Sequence, residues 1–222
     1  MTTGLFITGT DTGVGKTYVT AALLTELRRR DVRAAAFKPI ACGAGGRHDA
    51  EIYVALMNHE QPLDVINPVY LRHPLAPSVA AKRERKHIDL QQIRRTYQQL
   101  ADKYTIVLVE GAGGLMVPIR KNYFVADLAK ALKLPLLVVG RLGLGTINHS
   151  LLTVRAARAM GLKVNGIVLN DTVGGQRGLA EKTNSKAVPE LCRVPLLGVM
   201  PHGKHGQRAV VRQICDRLFA RP

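Results

Sequence analysis

The sequence has little of what several classes of protein depend on. It contains no tryptophan and only 3 cysteines, Cys42, Cys192 and Cys215, which are scattered and form no C-x-x-C pair. This usage argues against a disulfide framework or a zinc site and suits a reducing compartment. No apolar run approaches the roughly 20 residues of a membrane-spanning helix, and the N-terminus does not have the pattern of a signal peptide. We therefore expect a cytoplasmic protein.

Acidic residues are also scarce, which leaves a large positive charge. The chain has 16 Asp and Glu against 32 Lys and Arg, a formal charge of +16. Such an excess is typical of proteins that bind nucleic acids or handle small anions. The basic clusters are short: one at 28–30 lies at a predicted helix end, where cations complement the helix dipole, and one at 82–86 lies in a predicted connection. Because aromatic residues for base stacking are few, we do not expect nucleic acid as a partner.

Short apolar runs alternate with segments of helical periodicity along all 222 residues. The predicted strands are 5–9, 32–39, 105–110, 134–140, 164–171 and 194–201, and the predicted helices include 17–30, 89–104, 147–160 and 207–219. Runs without polar alternation are typical of parallel strands buried on both faces. We predict a single α/β domain over residues 1–222, with a mostly parallel sheet, helices on both faces and mobile glycine-rich loops at 42–49 and 172–178. Ligands of such sheets bind at the carboxyl ends of the strands.

The first strand is followed by the segment GTDTGVGKT at 9–17. It departs from the usual phosphate-loop spacing, because Thr10 stands where the first glycine is expected. The cradle itself is formed by 12–17, so the offset has little physical consequence. Gly13 and Gly15 let backbone N–H groups face a phosphate, Lys16 suits the outer phosphates, and Thr17 suits a magnesium ion. The alternative is a glycine-rich turn that binds nothing.

Charged residues follow two other predicted strands and one glycine-rich loop. Lys38 follows the second strand, where it is suited to a transferring phosphoryl group or its acceptor; the alternative is an ordinary surface lysine. Glu110 ends the strand 105–110 and is a candidate metal ligand. Asp49 is a second candidate carboxylate, and a helix N-cap role for it is compatible with metal binding.

The later strand ends carry polar groups that suit other parts of a ligand. Asn170 and Asp171 follow one strand and Pro201 follows another, and these could bracket a nucleotide base; the alternative for Asn-Asp is turn chemistry. The predicted helix entrance after 134–140 consists of Gly145, Thr146, Ile147 and Asn148. Its free backbone N–H groups suit a carboxylate, and the alternative is a helix start that binds nothing.

Five of these stretches together closely resemble the dethiobiotin synthetase family. They read GTDTGVGKT, FKPIACG, VLVEGAGGLMVPI, GLGTINHSLLT and VLND. The resemblance runs from residue 4 to about residue 201, and its first and third motifs are narrow signals. The family's phosphate loop carries the same offset at position 10. The fold implied is the phosphate-loop NTPase fold.

The resemblance implies a reaction in biotin biosynthesis. Enzymes of this family use ATP, magnesium and carbon dioxide to close a cyclic urea on diaminopelargonic acid, which gives dethiobiotin. One amine captures carbon dioxide as a carbamate, the carbamate takes the γ-phosphate to form a carbamic–phosphoric mixed anhydride, and the second amine displaces phosphate. A carbamate approaching a phosphate needs several positive groups nearby.

The resemblance also implies roles for individual residues. It assigns catalysis to Thr12, Lys16 and Lys38, and the Mg²⁺ ligands to Thr17, Asp49 and Glu110. It assigns nucleotide binding to Gly13, Val14, Gly15, Lys16, Thr17, Tyr18, Asp49, Glu110, Gly111, Ala112, Gly113, Asn170, Asp171, Pro201, His202 and Gly203. It assigns substrate binding to Thr12, Lys38, Cys42, Gly145, Thr146, Ile147 and Asn148. Cys42 stands where relatives carry serine, and the last four imply a homodimer with shared active sites.

Three alternatives remain open on the sequence. A related amide-forming ligase or small-molecule kinase would keep the phosphate loop but would not need the segment 38–42. A regulatory ATPase of the partitioning type would carry an extra lysine near the start of the loop, where this chain has Thr10, Asp11 and Thr12. A nucleotide-binding module without activity would not need Lys38, Asp49 and Glu110 together.

Overall fold

The architecture was obtained as a computed structural model that describes residues 3–176, 178–203 and 206–219. The strands are β1 (Thr3–Gly9), β2 (Ala34–Phe37), β3 (Ile40–Cys42), β4 (Val69–Leu71), β5 (Ile106–Gly114), β6 (Pro118–Arg120), β7 (Tyr123–Phe124), β8 (Leu136–Arg141), β9 (Val164–Asn170) and β10 (Leu196–Met200). The helices are α1 (Lys16–Arg29), α2 (His48–Leu56), α3 (Leu63–Ile66), α4 (Pro77–Glu84), α5 (Leu90–Lys103), α6 (Val125–Ala131), α7 (Thr146–Ala159), α8 (Leu179–Cys192) and α9 (Gln207–Phe219).

The centre of the described part is a six-stranded sheet in the order β10-β9-β8-β1-β5-β2. All of its strand pairs are parallel, so the predicted α/β architecture is confirmed. The apolar runs in β1, β8 and the first part of β5 are buried, as expected for strands covered on both faces. Because β1 lies between β8 and β5, the loop after β1 is flanked by the ends of both neighbours.

Several short elements were not predicted. They include the parallel pair β3 and β4 and the antiparallel pair β6 and β7. Strands of 2 or 3 residues are too short to show periodicity. The placement of the basic cluster 82–86 in a connection was wrong in part, because residues 82–84 form the last turn of α4, a helix that begins at Pro77. The glycine-rich segment 42–49 is also shorter than predicted, since α2 begins at His48.

The arginines at 28–30 lie at the C-terminal end of α1, as predicted. Two of them hold the buried Glu26: Arg29 Nε donates to its carboxylate at 2.9 Å and Arg30 Nε at 2.8 Å. Arg30 also pairs with Asp216 of α9 at 2.6 Å. The hydrogen bonds from Arg29, with those from Arg30, lower the pKa of Glu26 to about 2. This basic cluster therefore joins two helices away from the carboxyl edge of the sheet.

The described residues contain no helix that combines the length and the apolar character needed to cross a membrane. Cys42, Cys192 and Cys215 are free thiols, and the latter two are buried.

Candidate active site

The loop between β1 and α1 depends on its two glycines for different reasons. Gly15 precedes α1 in the left-handed conformation, with φ of 91°. A Cβ at this position would lie 2.0 Å from Asn170 Nδ2, so no side chain fits there. Gly13 has φ of 72°, and a Cβ there would meet nothing within 4 Å. The loop is therefore packed tightly against the protein at Gly15 and faces open space at Gly13.

Lys16 and Thr17 open α1 beside this loop. Lys16 is only 7% exposed, and its ammonium donates to the carbonyl oxygen of Asp11 at 3.2 Å. Burial lowers the pKa of Lys16, Glu110 opposes that shift, and the charge of Lys38 adds to it. A phosphate anion would favour the charged form, so the ammonium is well placed to receive one. Thr17 Oγ1 donates to Glu110 Oε1 at 3.0 Å.

Lys38 lies between two carboxylates. Its Nζ is 2.7 Å from Asp49 Oδ2 and 2.6 Å from Glu110 Oε1. Lys38 is 5% exposed and Glu110 is 1% exposed, so the alternative of a surface lysine is wrong. Burial alone would lower the pKa of Lys38, but Glu110 and Asp49 outweigh it and raise this pKa. The site therefore holds a charged ammonium at the carboxyl end of β2.

Asp49 approaches the same point from α2. It lies in the first turn of this helix, and the N-cap position belongs to Arg47. The expectation that Asp49 caps the helix was therefore wrong, because the helix begins one residue before it. Burial alone would raise the pKa of Asp49, but Lys38 holds it below its usual range. Asp49 thus remains a carboxylate that faces the site.

Tyr53 is a site residue that the sequence interpretation missed. It lies one turn after Asp49 on α2, it is 0% exposed, and its hydroxyl donates to Glu110 Oε2. Burial and the nearby carboxylate raise the pKa of Tyr53 well above its usual value, which keeps it a donor. Residues four apart share a helix face, so the spacing from Asp49 was the available signal. An aromatic residue inside a helix more often indicates core packing.

Except for Tyr53, these groups line one cavity of about 660 Å³. Its polar wall includes Thr12, Gly13, Gly15, Lys16, Thr17, Lys38, Cys42, Asp49, Glu110, Ala112 and Gly113. Its apolar wall includes Ile40, Ala41, Pro74, Leu75, Ala76, Pro77 and Val117. Burial raises the pKa of the Cys42 thiol to about 11, so it is a neutral group in this wall. The cavity thus joins a charged end to an apolar surface.

The charged end has the composition of a magnesium site that depends on a bound phosphate. The described part of the chain contains no group of three or more His, Cys, Asp or Glu that could hold a metal ion alone. Two carboxylates, Asp49 and Glu110, converge with the Thr17 hydroxyl. Mg²⁺ is commonly held by one or two carboxylates together with substrate phosphates and water. The predicted metal ligands therefore fit that ion.

The predicted base-binding residues lie on the other side of the loop, at the ends of β9 and β10. Asn170 is buried, and its Nδ2 donates to the Val14 carbonyl at 3.0 Å. Its Oδ1 has no hydrogen-bond partner among the described residues. Tyr18 Oη donates to the Gly203 carbonyl at 2.7 Å. Asn170 thus supports the phosphate loop with one amide atom and leaves an acceptor atom for a ligand.

The other residues that were predicted to bind the nucleotide differ in where they lie and what they contact. Asp171 Oδ1 accepts from the Gly174 backbone N–H at 2.9 Å, which is turn chemistry. Pro201 accepts from Tyr18 Oη at 3.3 Å through its carbonyl, and His202 packs against Gly174. Gly111 is buried against Phe6, behind the cavity wall.

The residues that were predicted to bind a substrate carboxylate, 145–148, do not line this cavity. Thr146 begins α7, and Gly145 precedes it with φ of 90° and no side-chain cap. Neither they nor Ile147 and Asn148 line the cavity. Thr146 Oγ1 is buried and has no partner among the described residues. The adjacent Leu144 is 95% exposed.

The chain is similar to curated enzymes over most of its length. A family model described as an AAA domain matches residues 3–208. The chain is 40% identical over 215 residues to the ATP-dependent dethiobiotin synthetase BioD of Thermodesulfovibrio yellowstonii, which covers 91% of this chain and 90% of the relative. It is 42% identical over 202 residues to the enzyme of the same name from Bacillus licheniformis, which covers 89% and 85%.

Solved structures with a similar fold are more distant in sequence. The MinC:MinD cell division protein complex of Aquifex aeolicus matches with a TM-score of 0.65 at 16% identity, covering 99% of this chain and 96% of that one. A ParA family ATPase from Chlorobium tepidum matches with a TM-score of 0.58 at 11% identity, covering 97% and 92%. These two likenesses show the fold alone, and they agree with a phosphate-loop α/β architecture.

Proposed function

The chain belongs to the ATP-dependent dethiobiotin synthetase family, and from this membership we propose how its residues divide the work. Members are enzymes of biotin biosynthesis, and this chain is an ATP-dependent ligase of that kind. One observation supports the division of roles most strongly: Lys38, Asp49 and Glu110 meet beside the phosphate loop, where Lys38 and Glu110 are buried. A charged cluster of this kind beside Lys16 suits a phosphoryl group in transfer.

We propose that residues 12–17 hold the phosphates of ATP, with Lys16 on the outer phosphates. The open space at Gly13 and the buried ammonium of Lys16 support this role. The base would lie toward Asn170 and the segment 201–203. Asn170 Oδ1 is an acceptor without a partner in the described structure. The amino group of adenine is a donor, whereas guanine has an acceptor at the corresponding position, so this atom favours ATP.

Thr17, Asp49 and Glu110 would hold Mg²⁺. When bound, the ion would neutralise charge on the β- and γ-phosphates. The Asp49 and Glu110 carboxylates are held by Lys38, whose ammonium balances part of their charge, and Thr17 is held by Glu110. Because that ammonium is paired with both carboxylates, it keeps its positive charge in spite of burial and stays oriented at the transfer point.

The acceptor in this proposal is a carbamate formed on diaminopelargonic acid. Lys38 and Thr12 would contact the carbamate, and Lys16 with the loop N–H groups would hold the phosphate. Two anions are brought together, and the two buried ammonium groups reduce their repulsion. The neutral Cys42 thiol adds no charge to this wall. The apolar wall around Leu75 and Val117 suits the aliphatic part of such a substrate.

A homodimer in the cytoplasm is also part of this proposal. Residues 145–148 do not line the cavity of their own chain. In the dimer, residues 145–148 of one copy would therefore contact a substrate bound in the cavity of the other copy. Leu144 is 95% exposed and Leu179 is 82% exposed, which supports a contact surface beside α7. Sedimentation that finds only monomers at assay concentrations would overturn the dimer, and cell fractionation tests the location.

The deciding experiment measures phosphate release from ATP and magnesium with bicarbonate, with and without diaminopelargonic acid. We expect release that depends on the diamine, together with a cyclic urea product detected by mass spectrometry. Release that is indifferent to the diamine would instead favour a related ligase or kinase. A salt-sensitive shift of duplex DNA would favour the partitioning-type ATPase, which at present is supported by similarity of fold alone.

A further inference from the structure

The two oxygens of the Glu110 carboxylate have different surroundings. Oε1 accepts from Lys38 at 2.6 Å and from Thr17 at 3.0 Å, and both donors line the cavity. Oε2 accepts from the hydroxyl of Tyr53, which is fully buried and does not line the cavity. The carboxylate therefore has one oxygen toward the site and one toward the protein interior.

The hydroxyl of Tyr53 limits how the Glu110 carboxylate can be oriented. A carboxylate at the end of a glutamate can rotate about its terminal bond, because that torsion is broad. A donor fixed on a buried helix restricts this freedom, since turning both oxygens toward the site would leave the buried Tyr53 hydroxyl without its partner. Asp49 comes from the same helix one turn earlier. One rigid element thus fixes both carboxylates.

We propose that Tyr53 is a positioning residue that makes Glu110 a one-oxygen ligand in the magnesium site, by holding Oε2 in the interior. This inference rests on the metal site proposed above. Groups that orient the ligands of a metal commonly change its affinity about 10–100-fold when they are removed. A merely structural tyrosine would instead contribute through its ring, which packs in the core.

Tyr53→Phe tests this idea because it retains the ring and removes only the hydroxyl. The measurement is binding of a fluorescent, non-hydrolysable ATP analogue as a function of magnesium concentration. We expect the magnesium concentration for half-maximal enhancement to rise about 10-fold, with unchanged binding of the analogue in EDTA. Tyr97→Phe is the matched control, because Tyr97 is a half-buried tyrosine on α5 away from the cavity. It should leave the magnesium curve unchanged.

A second comparison asks whether Tyr53 acts through Glu110. In a Glu110→Asp background the shorter side chain does not keep both contacts, so Tyr53→Phe should add no further increase in the magnesium requirement. Melting curves confirm that each variant is folded. A Tyr53→Phe curve equal to that of the unmodified protein would overturn this inference alone. An unmodified protein whose analogue binding ignores magnesium would overturn the metal site and this inference together.

Discussion

The two sides of the phosphate loop are built in different ways. On the side of β5 and β2, Lys38, Asp49, Glu110 and Tyr53 form a continuous set of direct contacts, and all but Asp49 are buried. Among the residues that were predicted to bind the base on the side of β9 and β10, Asn170 is buried, and residues 171–176 and 201–203 are half-buried or exposed. The first side is held together by contacts among the chain's own side chains. The second consists mainly of loop backbone.

The difference follows from the cost of burying charge. An unpaired buried charge is strongly unfavourable, so Lys38 and Glu110 are stable only when each satisfies the other. Uncharged loop backbone on the surface can be hydrated instead. We infer that phosphoryl transfer requires charged groups in fixed positions, whereas recognition of a base can depend on a few hydrogen bonds. The predictions below test whether the two sides fail in different ways.

The largest effect is expected from Lys38→Ala. It removes the charge between Asp49 and Glu110, and removal of one preorganised electrostatic group typically costs about 10²–10³-fold in turnover. Steady-state assays should show this loss, with a much smaller change in nucleotide affinity. Lys130→Ala, at an exposed position of α6, is the control. Turnover equal to that of the unmodified enzyme would show that the charged side does not act on the transferring group.

The charged side was also the more predictable one. Lys38 directly follows β2, and Glu110 lies midway along β5, toward the edge where the parallel-sheet rule places ligands. The prediction that Glu110 ends its strand was wrong, because β5 continues to Gly114. Tyr53 was missed because an aromatic residue within a helix is indistinguishable from a core residue until its hydroxyl is located. The elements β3 and β6 were missed because strands of 3 residues carry no measurable period.

The other side shows a second reason for incomplete prediction. Asn170 was expected to bind a base, and its contact with Val14 was not foreseen. These two residues are 156 positions apart in the chain, and their contact depends on how β9 is placed relative to the loop. Sequence order alone does not fix that distance. The resemblance to a family supplied the role that local chemistry left open.

A smaller effect is expected on the base side, from Tyr18→Phe. The Tyr18 hydroxyl holds the Gly203 carbonyl at 2.7 Å, and one such hydrogen bond contributes about 1 kcal/mol. We therefore expect the Kd for ATP to rise roughly 5-fold, with normal turnover at saturating ATP. Equilibrium binding and steady-state kinetics measure the two quantities, and Tyr104→Phe is a control remote from the cavity. A loss of turnover without a loss of affinity would contradict the division between the two sides.

The smallest effect on catalysis is expected from Glu26→Gln, at a buried charge network that does not line the cavity. The hydrogen bonds from Arg29 and Arg30 lower the pKa of Glu26 to about 2 from an ordinary 4.5. Because the folded-state pKa is the lower one, this network stabilises the fold above that ordinary value and loses its contribution as the pH falls toward about 2. Glu26→Gln should therefore lower the free energy of unfolding by about 1–2 kcal/mol at neutral pH, less than for a fully buried pair because the arginines are partly exposed.

That difference from the unmodified protein should shrink as the pH falls from about 5 to about 3. Urea unfolding at several pH values measures it, and Glu51→Gln, at an exposed position of α2, is the control. Turnover at neutral pH should stay normal in both variants. If the free energies of unfolding of Glu26→Gln and the unmodified protein changed with pH in the same way, the ionised Glu26 would not stabilise the fold as proposed. A loss of turnover would show that the contact between α1 and α9 influences the phosphate loop at the other end of α1. The charge network around Glu26 would then contribute to catalysis as well as to stability.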